Sequence, residues 1–397
     1  MFPIKVCKLT RSESEVFKKY FCDGEGNFFF EGMWLRNQRK ENAKQSGYID
    51  ESTQRRRYIH FYDKYVCLSE GEENFLAVKD AYICVTNTLT KQEVEAYKNK
   101  IVSALKEKGF TQSENVYSKG NFDVIINEYE NHPKNAEAGA VFPEDYKSID
   151  VICVTKGYEY KSHYDRMWKH STKMYRLPEK RENPTYINSL NEVEKFFPAQ
   201  VEMGCGPSIE ANIPPLYNMH ETYRDQNHIS KTFYFAEDDD LILNIILDTQ
   251  KMYEKFGYVP MCCVKAEHTE AYKIFNELYK KGVFRGIVYN NNFDRLVTRF
   301  DIKEYILRIY DKDKYLPKAE FDPFVKSLVC IGTHADRRQM QKQAREYGLK
   351  IIYIDPEGFY ENGKFISYPI EGPKTGDAIL KKTFTEAMQM FKEKFLD

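Results

Sequence analysis

The chain has 397 residues, more than one compact core ordinarily needs, so two domains are expected. Its 59 basic and 60 acidic side chains leave a formal charge of −1, which excludes the basic footprint of a general nucleic-acid coat protein. With 42% apolar and 15% aromatic residues the chain can bury a substantial core, and its 30% charge is too evenly mixed in sign for global disorder.

No apolar run approaches the roughly 18 residues of a membrane span. The best candidate, Leu241 to Leu247, is short and contains Asn244. Met1 to Glu15 lacks the apolar stretch of a secretory signal, so a cytoplasmic location without membrane contact is expected. The 9 cysteines include no C-x-x-C, so neither a disulfide scaffold nor a zinc ribbon is expected, and no metal ligand set can be drawn.

In chain order, the first part opens with polar and aromatic residues, including the basic triplet Arg55 to Arg57, that give no clean period. Ala81 to Val85 predicts a strand. Thr90 and Glu93 then form a capping box, and Val94, Tyr97, Ile101 and Leu105 lie on one face of a helix that Gly109 ends. Phe122 to Ile126 and Val151 to Val154 predict further strands, making 81–126 a βαβ-like segment. Arg176 to Pro184 combines charge with two prolines and no apolar period, which places a domain junction near residue 180.

Beyond it, strand and helix signals alternate. A capping box at Ser189 and Glu192 precedes Val193, Phe196 and Phe197, and Val201 to Met203 predicts a strand running into Gly204. His268, Tyr272, Phe275 and Tyr279 predict a helix, Ile287 and Val288 a strand, and Ser327 to Ile331 another. Ala335 to Tyr347 reads as a helix, Leu349 to Ile354 as a strand, and Ile379, Leu380, Phe384, Ala387, Met388, Phe391 and Phe395 as a closing amphipathic helix. The expected fold class is therefore α/β: a Rossmann-like parallel sheet with helices on both faces over 181–397, preceded by an N-terminal mixed α/β domain over 1–180 of unassigned role.

In such sheets ligands sit at the carboxyl ends of strands. Four ends carry suitable residues. Gly204, Cys205, Gly206 and Ser208 form a turn in which glycines let the backbone approach a diphosphate, although such a pair also serves as a simple turn. Asn290, Asn291, Asn292 and Asp294 offer amides and a carboxylate to a ribose or carboxamide, or act as turn residues. Gly332, Thr333 and His334 make a small-residue turn, and the Asp355 carboxylate is placed to accept from a sugar hydroxyl.

Taken in this order, the four ends resemble the sirtuin family. The glycine loop is similar to the family's G-A-G-I-S-x-x-S-G-I-P, with Gly204, Gly206, Ser208, Ile213 and Pro214 in matching places. Glu267 and His268 resemble a histidine ahead of the same helix, and Val283 to Asp294 resembles a stretch ending T-Q-N-x-D, with Asn292 and Asp294 the matched pair. Cys330 to His334 is similar to I-G-T-S, Ile351 to Glu357 to V-x-x-I-N-x-E, and Gly376, Asp377 and Ala378 to the loop that closes over adenine. The resemblance spans roughly residues 185 to 397.

It implies NAD as cofactor or substrate, with Gly204, Cys205, Gly206 and Ser208 around the phosphates, Gly332, Thr333 and His334 on the adenosine side, and Asn292 and Asp294 facing the nicotinamide ribose. It further implies cleavage of the nicotinamide to ribose bond, by hydrolysis or ADP-ribosyl transfer, with stabilisation of oxocarbenium character by a carboxylate. Three departures argue against lysine deacylation. The family's base, a histidine about fifteen residues after the aspartate, has no counterpart in Glu304 to Asp311; the 37 residues between Asp294 and Gly332 are too few for a zinc module; and Pro215, Leu216 and Tyr217 replace D-F-R. His220 and His228 in the following loop are the available substitutes or simply solvated, while His268 is expected to be structural. Two readings follow: an enzyme that consumes NAD with an acceptor the sequence does not name, or a module that senses NAD or an ADP-ribose derivative.

Overall fold

The computed structural model describes residues 1–37, 56–130, 144–158, 184–214, 241–307, 317–333, 336, 338–356, 360–361, 364–365 and 373–397. The chain divides into two compact units, Met1–Tyr175 with Leu216–Val264, and Arg176–Pro215 with Lys265–Asp397. This division differs from a single cut near residue 180 by adding 216–264 to the first unit. Most of the junction read at 176–184 lies outside the described residues.

The first unit is built on an antiparallel sheet of β1 (Ile4–Leu9), β2 (Asn27–Asn37), β3 (Arg56–Glu70), β4 (Glu73–Thr90), β5 (Thr111–Ser113), β6 (Val116–Lys119), β7 (Phe122–Tyr129) and β8 (Tyr146–Thr155). The order is 2-3-4-8-7-6-5, with β1 along the first half of β4 and β8 along the second. Ala81 to Thr88 is buried on both faces, so the strand shows no polar alternation. Thr86 accordingly donates to Asp150 (2.6 Å), and Thr88 and Ser148 share a hydrogen bond (2.8 Å). Helix α1 (Arg11–Val16) follows β1, and α2 (Lys91–Glu107) starts at the expected Thr90 and Glu93 capping box and buries Val94, Ile101 and Leu105. The βαβ-like reading of 81–126 needs correction. A hairpin, β5 and β6, turns through Glu114 at φ 53 before β7, and β8 lies antiparallel between β4 and β7. Three short helices, Leu241–Leu247, Thr249–Phe256 and Tyr258–Lys265, complete the described part of this unit. No helix among the described residues is long and apolar enough to cross a membrane.

The second unit contains a parallel sheet of β9 (Thr185–Ile187), β10 (Ala199–Met203), β11 (Val288–Asn290), β12 (Glu304–Ile306), β13 (Ser327–Ile331), β14 (Lys350–Ile354) and, after a small ribbon of β15 (Tyr360–Glu361) and β16 (Lys364–Phe365), β17 (Ala378–Leu380). Its order is 12-11-10-13-14-17-9. The helices are α3 (Cys205–Glu210), α4 (Glu270–Lys280), α5 (Met340–Glu346) and α6 (Phe384–Phe395). Helix α5 buries Met340 against Tyr289 and Leu307, and Ala344 against Cys330 and Tyr353, on one face. On the opposite face α4 sets Tyr272 against Met203, and α6 sets Phe384 5.1 Å from the Tyr272 ring. The fold is the α/β class expected, a parallel sheet with helices on both faces.

Three local readings are corrected here. The Ser189 box opens only two 3-10 turns, Leu190–Glu192 and Glu194–Phe196, because Pro198 and β10 follow at once. Ile379 and Leu380 belong to β17, not to the closing helix, which begins after its own capping box at Thr383 and Glu386. Of the helix read from Ala335, which itself lies outside the described residues, α5 begins at Met340, since Gln339 sits at φ 57.

Strand order places the loops. From β10 the chain moves outward to β11 and β12, then returns to β13 on the other side of β10 and moves outward again to β14 and β17. The order reverses between β10 and β13, and a crevice opens beyond the carboxyl ends at such a reversal.

Candidate functional site

Two glycine turns meet at that reversal. Gly204 ends β10 and donates its amide to Ile331 O (2.7 Å), while Gly332 ends β13 and donates to Ile354 O (2.9 Å). A Cβ on Gly204 would stand 2.6 Å from Thr333 Cβ and 2.7 Å from the Gly332 carbonyl carbon. A Cβ on Gly332, whose φ is +60, would stand 2.6 Å from Gly206 N. The two loops therefore touch backbone to backbone, and only glycine fits at the contact. Cys205 Sγ lies 3.7 Å from Gly332 O and is partly exposed.

The loop after β11 is locked onto this pair. Asn292 Nδ2 donates to Gly204 O (2.5 Å), and its backbone amide donates to Asn290 Oδ1 (2.9 Å). Ser208 Oγ donates to Asp294 Oδ2 (2.5 Å), and Leu296 N donates to Asp294 Oδ1 (2.9 Å). Asp294 is fully buried, and that burial pushes its carboxyl above the usual range against the pull of Ser208, the Leu296 amide, Arg299 and Arg295. The carboxylate and the Ser208 hydroxyl that bonds it are both buried. Asn290 Nδ2 donates to Glu304 Oε2 (3.0 Å), and Arg295 stands 3.6 Å from Glu304 Oε1. Burial raises the Glu304 carboxyl as well.

His268 supports the loop from below. Its Nε2 is 2.7 Å from Leu296 O, and its ring stacks on Phe300 at 3.6 Å and 14°. Burial lowers its pKa and favours the neutral ring, in keeping with the structural role expected.

The remaining residues read from sequence fall into two groups. Thr333 is buried beside Gly204, and Asp355 is buried at the end of β14 with its amide on Leu380 O (3.2 Å). Asp377 instead accepts from Arg345 Nη2 (2.6 Å) and Lys374 N (2.7 Å), and Ala378 is buried in β17. His334, His220, His228, Tyr217 and residues 308–311 lie outside the described residues. Sequence reading passed over Glu202, Gln341 and Arg345. The available signal was Glu202 itself, a carboxylate between Val201 and Met203 in a strand expected to be covered on both faces. Among the described residues no group of His, Cys, Asp and Glu is arranged to hold a metal ion.

No protein-family model matches the chain, and no curated protein matches its sequence. Among solved structures the chain is similar to Sir2 proteins. One, a Sir2 homologue in complex with NAD, shares 14% identity at a TM-score of 0.34, covering 54% of this chain and 96% of the other. A variant Sir2 homologue in complex with ADP-ribose shares 16% identity at 0.33, covering 52% and 98%. A Sir2 in complex with an inhibitor, 2′-O-acetyl-ADP-ribose and a deacetylated peptide shares 13% at 0.33, covering 51% and 98%.

Proposed function

We propose that the second unit binds NAD in the crevice at the β10 and β13 carboxyl ends and breaks its nicotinamide to ribose bond. The observation that supports this reading most is the contact of Gly204 and Gly206 with Gly332 at the strand-order reversal, with Asn292 and Ser208 tied to it. In parallel α/β sheets a diphosphate is received by glycine turns at such a reversal, and Gly204, Cys205, Gly206 and Ser208 are the groups that would meet it. Thr333 and Asp355 would serve the adenosine half. Asn292 and Asp294 would serve the nicotinamide ribose, Asp294 as a buried charge that acts through a low dielectric.

In the reaction proposed, the C1′ to nitrogen bond breaks, its electron pair leaves with nicotinamide, and water or an acceptor supplies the new bond to C1′. A second reading, a sensing module that holds NAD or an ADP-ribose derivative intact, is favoured by one observation. The side-chain amides of Asn290, Asn291 and Asn292 are all engaged within the protein. Incubation of the full chain with NAD and chromatography of free nicotinamide separates the two. Release that falls ~100-fold in Asp294→Asn with affinity nearly unchanged supports cleavage. Binding without release supports sensing, and neither binding nor release ends both readings.

A further inference from the structure

A buried hydrogen-bond chain crosses the second unit's sheet beneath the candidate crevice. Glu202 lies in β10, 1% exposed, in the same cross-strand row as Tyr289, Cys330, Tyr353 and Ile379. Asn291 Nδ2 donates to Glu202 Oε1 (3.1 Å), while Gln341 Nε2 (3.0 Å) and Cys330 Sγ (3.6 Å) donate to Oε2. Gln341 Oε1 accepts from Tyr353 Oη (2.8 Å), which accepts from Arg345 Nη2 (2.9 Å), which also donates to Asp377. One chain of bonds therefore joins the loop after β11, the segment after the Gly332 turn, β14 and the loop before β17.

A carboxylate here is expensive. Burial, and then the charge of neighbouring Asp336, push the Glu202 carboxyl up to about 7. An apolar residue in this row would be more stable, so the charge calls for a reason other than stability. The identity of its donors supplies one. Asn291 sits beside Asn292, and Gln341 sits in α5, whose amides at Gln341 and Lys342 are capped by Asp336 (2.9 and 2.8 Å). As an anion Glu202 accepts from all three donors. A side-chain amide in its place offers a single acceptor oxygen and two donors of its own, so it can hold one of the two segments but not both.

We propose that Glu202 is the positioning residue of the site: by accepting from Asn291 and Gln341 together, its carboxylate holds the loop after β11 against the start of α5, so both segments loosen and ligand affinity falls when that acceptor is replaced. The proposal rests on the functional reading above only for the identity of the ligand. The titratable and charged groups around Glu202 among the described residues are Asp336, Cys330, Tyr353, Tyr289 and Arg345, with Asp377 beyond it.

The test is hydrogen exchange of the full, ligand-free chain at pH 8, together with NAD calorimetry. Wild type is expected to protect the amides of 290–294 and 338–342 about tenfold better than Glu202→Gln. Gln341→Leu, which keeps the carboxylate, should lose protection at 338–342 and keep it at 290–294. Equal protection of both segments in wild type and Glu202→Gln overturns the proposal, and so does an unchanged 338–342 in Gln341→Leu, which decides the question even where Glu202→Gln does not fold. Absence of NAD binding would instead overturn the ligand assignment, and exchange would still decide the positioning role.

Discussion

Three glycines of the second unit separate backbone strain from steric contact, and alanine at each should give a graded series. Gly348 has φ +92 with nothing within 4 Å of an added Cβ, so Gly348→Ala carries strain alone, about 1 kcal/mol. Gly204 has an ordinary φ of −109, but its Cβ would overlap the Gly332 carbonyl and stand 2.6 Å from Thr333 Cβ. Backbone yields less than a side chain, so Gly204→Ala should lose about 2–3 kcal/mol. Gly332→Ala combines φ +60 with a Cβ 2.6 Å from Gly206 N, and the two effects together give about 3–4 kcal/mol. Urea titration of the full chain, read by hydrogen exchange on β10 and β13 peptides, isolates this unit from the other. Equal losses for all three, or the largest loss at Gly348, would refute the backbone contact between the two loops.

Further outcomes are expected from the buried charges and caps. Arg345→Met leaves Asp377 buried without its cation and should destabilise the unit by about 3 kcal/mol, with the Arg345→Met, Asp377→Asn pair losing less than the single change, as a double-mutant cycle would read. Glu210 holds the start of α6 by accepting from Phe384 N (2.7 Å) and Thr385 N (2.9 Å), so Glu210→Ala should lose about 1 kcal/mol in urea. Glu202 is an acid with a raised folded pKa, so the folded state holds its proton between the ordinary value of 4.5 and about 7, and stability falls as pH rises through that window. The stability of Glu202→Gln minus that of wild type should therefore grow between pH 5 and 8, by up to roughly 3 kcal/mol, and a flat difference would show that Glu202 titrates normally.

The second unit was largely legible because its strands are short apolar runs ending in glycine. Ser327 to Ile331 into Gly332, and Val201 to Met203 into Gly204, carry that signature, and each of the four strand ends read from sequence follows a strand of the sheet. The contact between the two glycine turns was not legible, since the sequence separates them by more than a hundred residues and only strand order brings them together. Periodicity misled at Ile379 and Leu380, which fall in helical phase with Phe384, although the Thr383 and Glu386 box marks the true start. In the first unit only Ala81 to Val85 of β4 was legible, because Thr86 and Thr88 beyond it are buried by hydrogen bonding rather than apolarity. Asp377 looked available from sequence because its partner Arg345 is 32 positions away.

Calorimetric titration of NAD into the full chain at pH 8, wild type beside Gly204→Ala, tests the central claim most directly. The account expects saturable binding at one site per chain in the wild type. It expects little or none at the same concentrations in the variant, whose far-UV spectrum should stay unchanged. No heat and no rise in melting temperature in the wild type, or undiminished binding in Gly204→Ala, would contradict a dinucleotide site at the Gly204 and Gly332 turns.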